Sequence, residues 1–397
     1  MEINKIPAKE LKIRMNRFTS MMDTDYPEWE MCALVGAMSM YYLTGTIADG
    51  VLLIEREKGA VLWVRRSYER SALESNFGDI RQMVSFRDVR SGYETLPSVI
   101  HLDMAQASLE WYGFFNKYMQ FTSAKPVDST MLRARAVKTS YEIELMIKAG
   151  KIYDELTTTV VPQYFYDDMS EAELGGNLYG LFIRCGYHGV SRFSMKNADV
   201  QLGHIGFGVS SLYPSVFNGA SGLMGICPAS PVLGSAKRKL ANGDLIYIDL
   251  GFGIEGMNVD KTIVYSFGRP QSDEVNAAHE HCLYLEEKAA EMLTAGAKPS
   301  DIYFKVLDMV KPAYKDSFMG SRGRNVPFLG HGVGLYVDEH PVLARGFDAP
   351  LQAGMTIAIE PKIGIEGVGM VGTENTYLVT SDSAVSLTGG RHSIIEC

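Results

Sequence analysis

The chain is predicted to be an α+β protein of two domains, a smaller mixed α/β domain followed by a larger one built on an antiparallel sheet with helices packed outside it. Three observations predict this. At 397 residues the chain exceeds the ~250–300 at which a single hydrophobic core stops growing. As far as residue 130, short strand-like runs alternate with helical ones. Beyond that point, long helical stretches are interspersed with two apolar hairpins.

In the first domain, AKELKIRMNRFTSMM reads as a helix, and GVLLIERE and GAVLWVRR read as short strands set off by charged or glycine turns. YERSALESNFGDIRQM and MAQASLEWYGFFNKYM read as helical. The run from Met31 to Ala48 carries no charge and is long enough to raise the question of a membrane span. Its Gly36, Ser39, Tyr41, Tyr42, Thr44, Gly45 and Thr46, and its end at Asp49-Gly50, favour a buried strand and turn. This domain holds no catalytic cluster, so its expected role is positional, closing over a site or pairing subunits.

The boundary is placed near Leu132, giving domains 1–132 and 133–397. Just past it, Thr139 or Ser140 can cap a helix carrying Glu142. Helices are expected over 140–158, 171–185, 273–295 and 300–311. Between Gln201 and Ala236 there is no Asp, Glu, Lys or Arg, and Gly, Ser and Pro are frequent. Solvated loops usually carry charge, so this connection suits a pocket wall or lid, or else a buried meander.

Five residues of the second domain point to chemistry. Asp249 lies in GDLIYIDLG and Asp260 in NVDKTIVYS, two apolar runs joined by Gly-Phe-Gly-Ile-Glu-Gly. Folding that hairpin about Ile254 and Glu255 sets Asp249 opposite Asp260. Glu360 and Glu374 are likewise symmetric about Gly367, and His331 lies between the two hairpins in sequence. Opposed residues on paired strands have Cβ atoms roughly 4.5–5.5 Å apart. Two like charges at that separation repel by about 3 kcal/mol at an effective dielectric constant of ~20. Two divalent cations between them remove that cost. Four carboxylates and one imidazole suit Mn, Co, Zn or Fe, and the lack of thiolates argues against a structural zinc site. The run HEHC at His279 to Cys282 only mimics a metal cluster, because neighbours two apart on a helix do not share a face.

Composition excludes other classes. Hydrophobic residues at 46% and charged residues at 21% describe a globular chain. A net charge of −9 without a basic cluster offers nothing to nucleic acid or to an anionic membrane, which leaves a small molecule or a peptide as partner. The odd, scattered cysteines (Cys32, Cys185, Cys227, Cys282, Cys397) read as reduced thiols, and the charged N-terminus lacks an apolar signal region, so a cytoplasmic location is expected.

The ordered motifs Asp249-Leu250-Gly251, Asp260-Lys261-Thr262, Gly330-His331-Gly332-Val333-Gly334, Ile359-Glu360-Pro361 and Gly372-Thr373-Glu374-Asn375-Thr376 together resemble the creatinase, prolidase and aminopeptidase P family. Arg135, Lys138, Glu142 and Ile143 resemble the signature with which that family's catalytic domain begins, and Tyr41 to Gly45 (YYLTG) is similar to its N-terminal pattern. The resemblance implies a curved, pita-bread catalytic domain behind a creatinase-like N-terminal domain, and a homodimer. It implies that Asp249 binds one metal, Asp260 and Glu374 bridge two, and His331 and Glu360 complete one site. It narrows the partner to a peptide or small amide, and the implied reaction is hydrolysis of a peptide by a metal-bridging hydroxide, in the manner of an Xaa-Pro aminopeptidase or dipeptidase.

Departures from the family pattern bear on proton transfer. The family's histidine seven residues after the metal histidine is here Asp338, a second one falls near Val232, and the arginine before the last glutamate is Gly372. Candidates to take over are His204, His340 and Asp338, beside Glu360. These departures keep open a second reading, hydrolysis of a non-peptide C–N bond in a small molecule. A third is a non-catalytic binding protein, although family relatives of that kind have lost metal ligands that this chain retains.

Overall fold

A computed structural model describes residues 3–195, 198–215 and 219–397. It separates into two compact units, Met1–Arg135 and Ala136–Cys397. The boundary expected after Leu132 falls inside a helix, Asp128–Ala136.

In the first unit, β1 (Met31–Leu34), β2 (Asp49–Glu55), β3 (Gly59–Arg66), β4 (Ile80–Gln82), β5 (Val99–Leu102) and β6 (Ser123–Pro126) form a mixed sheet in the order β4-β3-β2-β1-β5-β6. β2 runs antiparallel to both β1 and β3, whereas β4, β5 and β6 add in parallel. Helices α1 (Ala8–Asp25), α2 (Ala37–Thr44), α3 (Tyr68–Glu74), α4 (Phe86–Ser91), α5 (Leu109–Met119) and α6 (Asp128–Ala136) connect or cover the strands. One core gathers Trp63, Phe86, Ile100 and Phe115.

Two local expectations are corrected. The uncharged run from Met31 is strand only as far as Leu34, and then becomes α2, which ends at Gly45 in the left-handed region at φ 74°. Most of it is buried, and a mostly buried apolar run has little periodicity to separate helix from strand. In the stretch read as helical from Tyr68, the helix stops at Glu74, and Ile80–Gln82 adds to the sheet beside β3.

In the second unit, α7 (Ser140–Glu155) opens with the Thr139/Glu142 capping box, each side chain bonding the other's backbone N–H. It runs into one π turn, Leu156–Val160, three residues short of the expected helical end. α8 (Glu171–Arg184), α9 (Asp273–Met292) and α10 (Pro299–Met309) follow. The strands are β7 (Gly203–Phe207), β8 (Leu245–Ile254), β9 (Met257–Ser266), β10 (Gly320–Ser321), β11 (Arg324–Asn325), β12 (Phe328–Gly332), β13 (Glu339–Ala344), β14 (Thr356–Ile359), β15 (Lys362–Ile365), β16 (Gly369–Gly372), β17 (Glu374–Val379), β18 (Ala384–Ser386) and β19 (Ile395–Glu396). Among the described residues the main sheet runs β13-β12-β14-β17-β9-β8-β7, antiparallel along that path, with β18 antiparallel on β17 and β19 parallel on β9. Ile357, Ile359, Tyr377 and Val379 of this sheet share a core with Cys282 and Leu285 of α9 and Val306 of α10. At Gly150 of α7 a side chain would collide with the carbonyl of Leu387, so the glycine sets how closely that helix approaches the chain leaving β18.

The hairpin registers decide where the acids go. β14 and β15 continue on one side and β16 and β17 on the other with an unbroken register about Gly367, so Glu360 and Glu374 stand across from each other as the sequence symmetry indicates. The first hairpin is shifted. It turns at Glu255-Gly256 rather than Ile254-Glu255, pairing Asp249 with Thr262 and Gly251 with Asp260. The shift is two residues, so Asp249 and Asp260 stay on one face, diagonal instead of opposed.

Candidate metal centre

Cross-strand register lays two rows of side chains on the concerned face. His204 pairs with Asp249, Asp249 with Thr262, and Thr262 with Glu374, a row crossing β7, β8, β9 and β17. Two residues along, Gly251 pairs with Asp260, and His331 with Ala358, which pairs with Thr376. The Thr376 hydroxyl accepts from the Asp260 N–H at 2.8 Å. Gly251 has no room for a side chain, since a Cβ there would come within 2.6 Å of Ser191 Oγ.

The four acids and His331 do converge. His331 Nε2 lies 3.4 Å from Glu360 Oε1 and 3.8 Å from Glu374 Oε1. Ligand atoms of Asp260, His331 and Glu374 all lie within 4.8 Å of one another. The group between the remaining oxygens was not anticipated. Lys362 Nζ donates to Asp249 Oδ2 at 2.9 Å, Glu360 Oε2 at 2.6 Å and Glu374 Oε2 at 2.9 Å. The expectation that only metal ions separate these acids is thereby corrected. A lysine is ordinarily a surface residue, and its spacing from Glu360, two along an extended chain and so on the same side, is the signal that was available.

Electrostatics divide the acids into two pairs. Burial works against the ionised form of all four. For Asp249 and Glu360 the Lys362 ammonium outweighs it, and both are held below the usual carboxylate range. For Asp260 burial and the Asp249 charge win, raising it to about 7, and burial with the Asp260 charge raises Glu374 well above its ordinary value. Burial opposes a charged His331, yet its bond to Glu360 and the surrounding carboxylates carry it up to about 10. The chain by itself therefore leaves the ionised forms of Asp260 and Glu374 incompletely compensated. Glu374 Oε1 is also buried without a hydrogen-bond partner, which costs about 1–3 kcal/mol or more if it is left so. An oxygen, oxygen and imidazole set with this unmet charge fits a divalent cation.

Neighbouring groups hold the set in place. Asp249 Oδ2 accepts from Tyr247 Oη and Ser221 Oγ, both at 3.1 Å, and Thr262 Oγ1 donates to Glu374 Oε2 at 2.9 Å. Behind the sheet, buried Glu286 of α9 accepts from Thr373 Oγ1, Asn375 Nδ2 and Tyr377 Oη at 2.7–2.8 Å. Lys261, pointing to that same side, donates to Asn375 Oδ1 at 2.8 Å and Thr388 O at 2.6 Å.

Among the candidates for proton transfer, His204 is buried beside the set. Its Nδ1 lies 2.9 Å from Ser221 Oγ, which donates to Asp249, so Nδ1 carries the proton in that chain of bonds. Burial lowers its pKa, and the Asp249 charge opposes that shift. Both carboxylate oxygens of Asp338 are engaged by Ser194, through its N–H at 2.5 Å and its hydroxyl at 2.8 Å, so Asp338 anchors the chain at 194. His340 is exposed and packs against the Phe347 ring. All three line the same cavity of about 640 Å³ as the metal set, with Phe193, Leu202, Phe328, Val342 and Phe347 as apolar wall. The uncharged connection after Gln201 is part wall, through Gly203, Gly219 and Ser221, and part sheet, because β7 lies within it. His279 and His281 sit away from the cavity, bonded to the His392 carbonyl and the Lys311 N–H.

Residues 144–381 match the family model described as metallopeptidase family M24. Over 389 residues the chain is 24% identical to an Xaa-Pro dipeptidase of Pyrococcus furiosus, covering 97% of this chain and all of that one. It is similar in structure to a prolidase from Pyrococcus horikoshii, with TM-score 0.79, 22% identity, and 96% and 100% of the two chains covered. An Xaa-Pro dipeptidase from Bacillus anthracis gives TM-score 0.79 at 21% identity, covering 97% and 100%.

Proposed function

Because the chain belongs to metallopeptidase family M24, we propose that it hydrolyses short peptides at the bond before proline, with a divalent cation held by Asp260, His331 and Glu374. The observation that carries this reading is the meeting of those three ligand atoms within 4.8 Å beside a cavity of about 640 Å³ with an apolar wall. Relatives along the full length of the chain bear the name Xaa-Pro dipeptidase, which supports the proline preference.

A cation held there would supply Lewis acidity toward the scissile carbonyl and make water a usable nucleophile near neutral pH. The chain's own groups do the rest. Glu360, ionised beside Lys362 and within 3.4 Å of the His331 ring, is the base nearest the ligand set. His204, tied through Ser221 to Asp249, is the candidate for proton exchange on the Asp249 side. The apolar wall at Phe193, Phe328 and Phe347 suits a pyrrolidine ring and excludes water from around it.

Purified protein with Mn²⁺ or Co²⁺ should cleave Xaa-Pro dipeptides in preference to Xaa-Ala, lose that activity in EDTA, and regain it when the metal is restored. Asp260→Asn should lower kcat/KM roughly a thousandfold, the loss of several kcal/mol of transition-state stabilisation. Cleavage of small cyclic amides with no action on dipeptides would replace this reading by the non-peptide one. Inertness toward both with all four metals would overturn it.

A further inference from the structure

The acids of the centre surround two cation positions, and the chain itself fills one of them. Each bridging glutamate divides its oxygens between the two. Glu360 gives Oε2 to Lys362 and Oε1 toward His331, and Glu374 gives Oε2 to Lys362 while Oε1 lies 3.8 Å from His331. Asp249 belongs to the lysine position, and Asp260 belongs with His331. The ammonium has three N–H donors and is surrounded by three carboxylate oxygens, so its donors are all used.

The stem of Lys362 is accommodated by its partner in the hairpin. Gly372 pairs directly with Lys362, at φ 148°, and a Cβ there would come within 2.8 Å of Lys362 Cα and 2.9 Å of its Cγ. A side chain on one strand excludes the side chain on the other. The Lys362 side chain is 2% exposed, so it cannot swing out to solvent without opening the ribbon. A second divalent ion at this position would need the same three oxygens and would face the positive charge at contact distance.

We propose that Lys362 is a tethered cation replacing one of two metal ions, so that the chain holds a single divalent ion at Asp260, His331 and Glu374. The inference rests on the metal-dependent reading above and deepens it. The ammonium neutralises Asp249 and holds Glu360 and Glu374 in position, and it leaves the reacting cation to the His331 side. Loss of metal by dilution then removes one ion and not two, and Asp249 need not be a metal ligand.

The test is the number of ions per chain. Wild-type protein reconstituted with Mn²⁺ and desalted should contain one equivalent by elemental analysis. Lys362→Gly should contain two, and Lys362→Arg, which keeps the charge, no more than one. Anomalous diffraction from wild-type crystals soaked in MnCl₂ gives the answer without a variant: one peak beside Asp260, His331 and Glu374 supports the proposal. Two equivalents in wild type, or a second peak beside Asp249, would overturn the tethered cation and leave the metallopeptidase reading intact. A folded Lys362→Gly that still takes one ion would overturn it as well. No ion in wild-type protein would remove both readings.

Discussion

The buried pair Lys138 and Glu339 offers the sharpest test of how the cavity rim is held. Lys138 Nζ lies 3.2 Å from Glu339 Oε2, and the side chains are 1% and 2% exposed. Glu339 also accepts from the Tyr336 N–H at 3.2 Å. Gly334 makes room for both, since a Cβ there would approach Glu339 Oε2 to 2.5 Å and Lys138 Nζ to 2.9 Å. Lys138→Met removes the ammonium and leaves a nearly fully buried carboxylate without that partner. Breaking such a pair from one side costs about 3–5 kcal/mol, whereas replacing both charges is close to neutral. For a unit of this size that loss corresponds to a fall in Tm of roughly 6–10 °C. Thermal and urea unfolding of Lys138→Met, Glu339→Gln and the double variant form a cycle in which the double variant should recover most of either single loss. Because Asp338 and His340 flank Glu339 and line the cavity, the single variants should also lose activity at temperatures where they remain folded. Single losses under about 1 kcal/mol, or an additive double variant, would refute the claim that this ion pair holds the rim.

Two further outcomes follow from features away from the metal set. His188 accepts the Gly256 N–H at 3.1 Å through Nδ1, and burial lowers its pKa from 6.5 to about 4; the unfolded chain therefore binds its proton first, and stability should fall as pH drops from 6.5 to 4. The full difference sets a ceiling of about 3 kcal/mol, and His188→Gln, which can still accept from Gly256, should flatten the stability curve in that window; an unchanged slope would refute the assignment. Gly150→Ala should destabilise by roughly 1–3 kcal/mol, because its new methyl group meets the backbone carbonyl of Leu387 rather than a movable side chain, and a urea midpoint equal to wild type would show that the approach is looser than drawn.

The α+β pita-bread architecture was legible from the sequence, through the order of hairpins and helices and through motifs strung along nearly the whole chain; it is the fold that the chain shares with the prolidases. The second hairpin was legible to the residue because its turn is symmetric and centred on Gly367 at φ 73°. The first was misjudged by two positions. Its loop has only two residues, Glu255 at φ 49° and Gly256 at φ 91°, a geometry in which Asn-Gly or Asp-Gly is the usual signal and glutamate gives none. The glycines before it, Gly251 and Gly253, belong to the strand, kept small by Ser191 and His188 against them. β7 was hidden for a related reason: GHIGF has no alternation of apolar and polar residues, and it is recognisable only from the strand beside it. Lys362 was overlooked because charge counting along a sequence assigns lysines to solvent, and only the fold reveals three acids waiting around one.

A helix on the far side of the sheet has a say in the chemistry. Glu286 grips residues 373, 375 and 377 of the strand whose intervening residue, Glu374, faces the cavity, so α9 and that strand turn as one piece. Any tilt of α9, whose Cys282, Leu285 and Ala289 are packed into the core, would swing the oxygens of Glu374 relative to His331. Substitutions along this helix would therefore retune the proposed metal site from a distance, and replacing Glu286 would leave Thr373, Asn375 and Tyr377 without that acceptor.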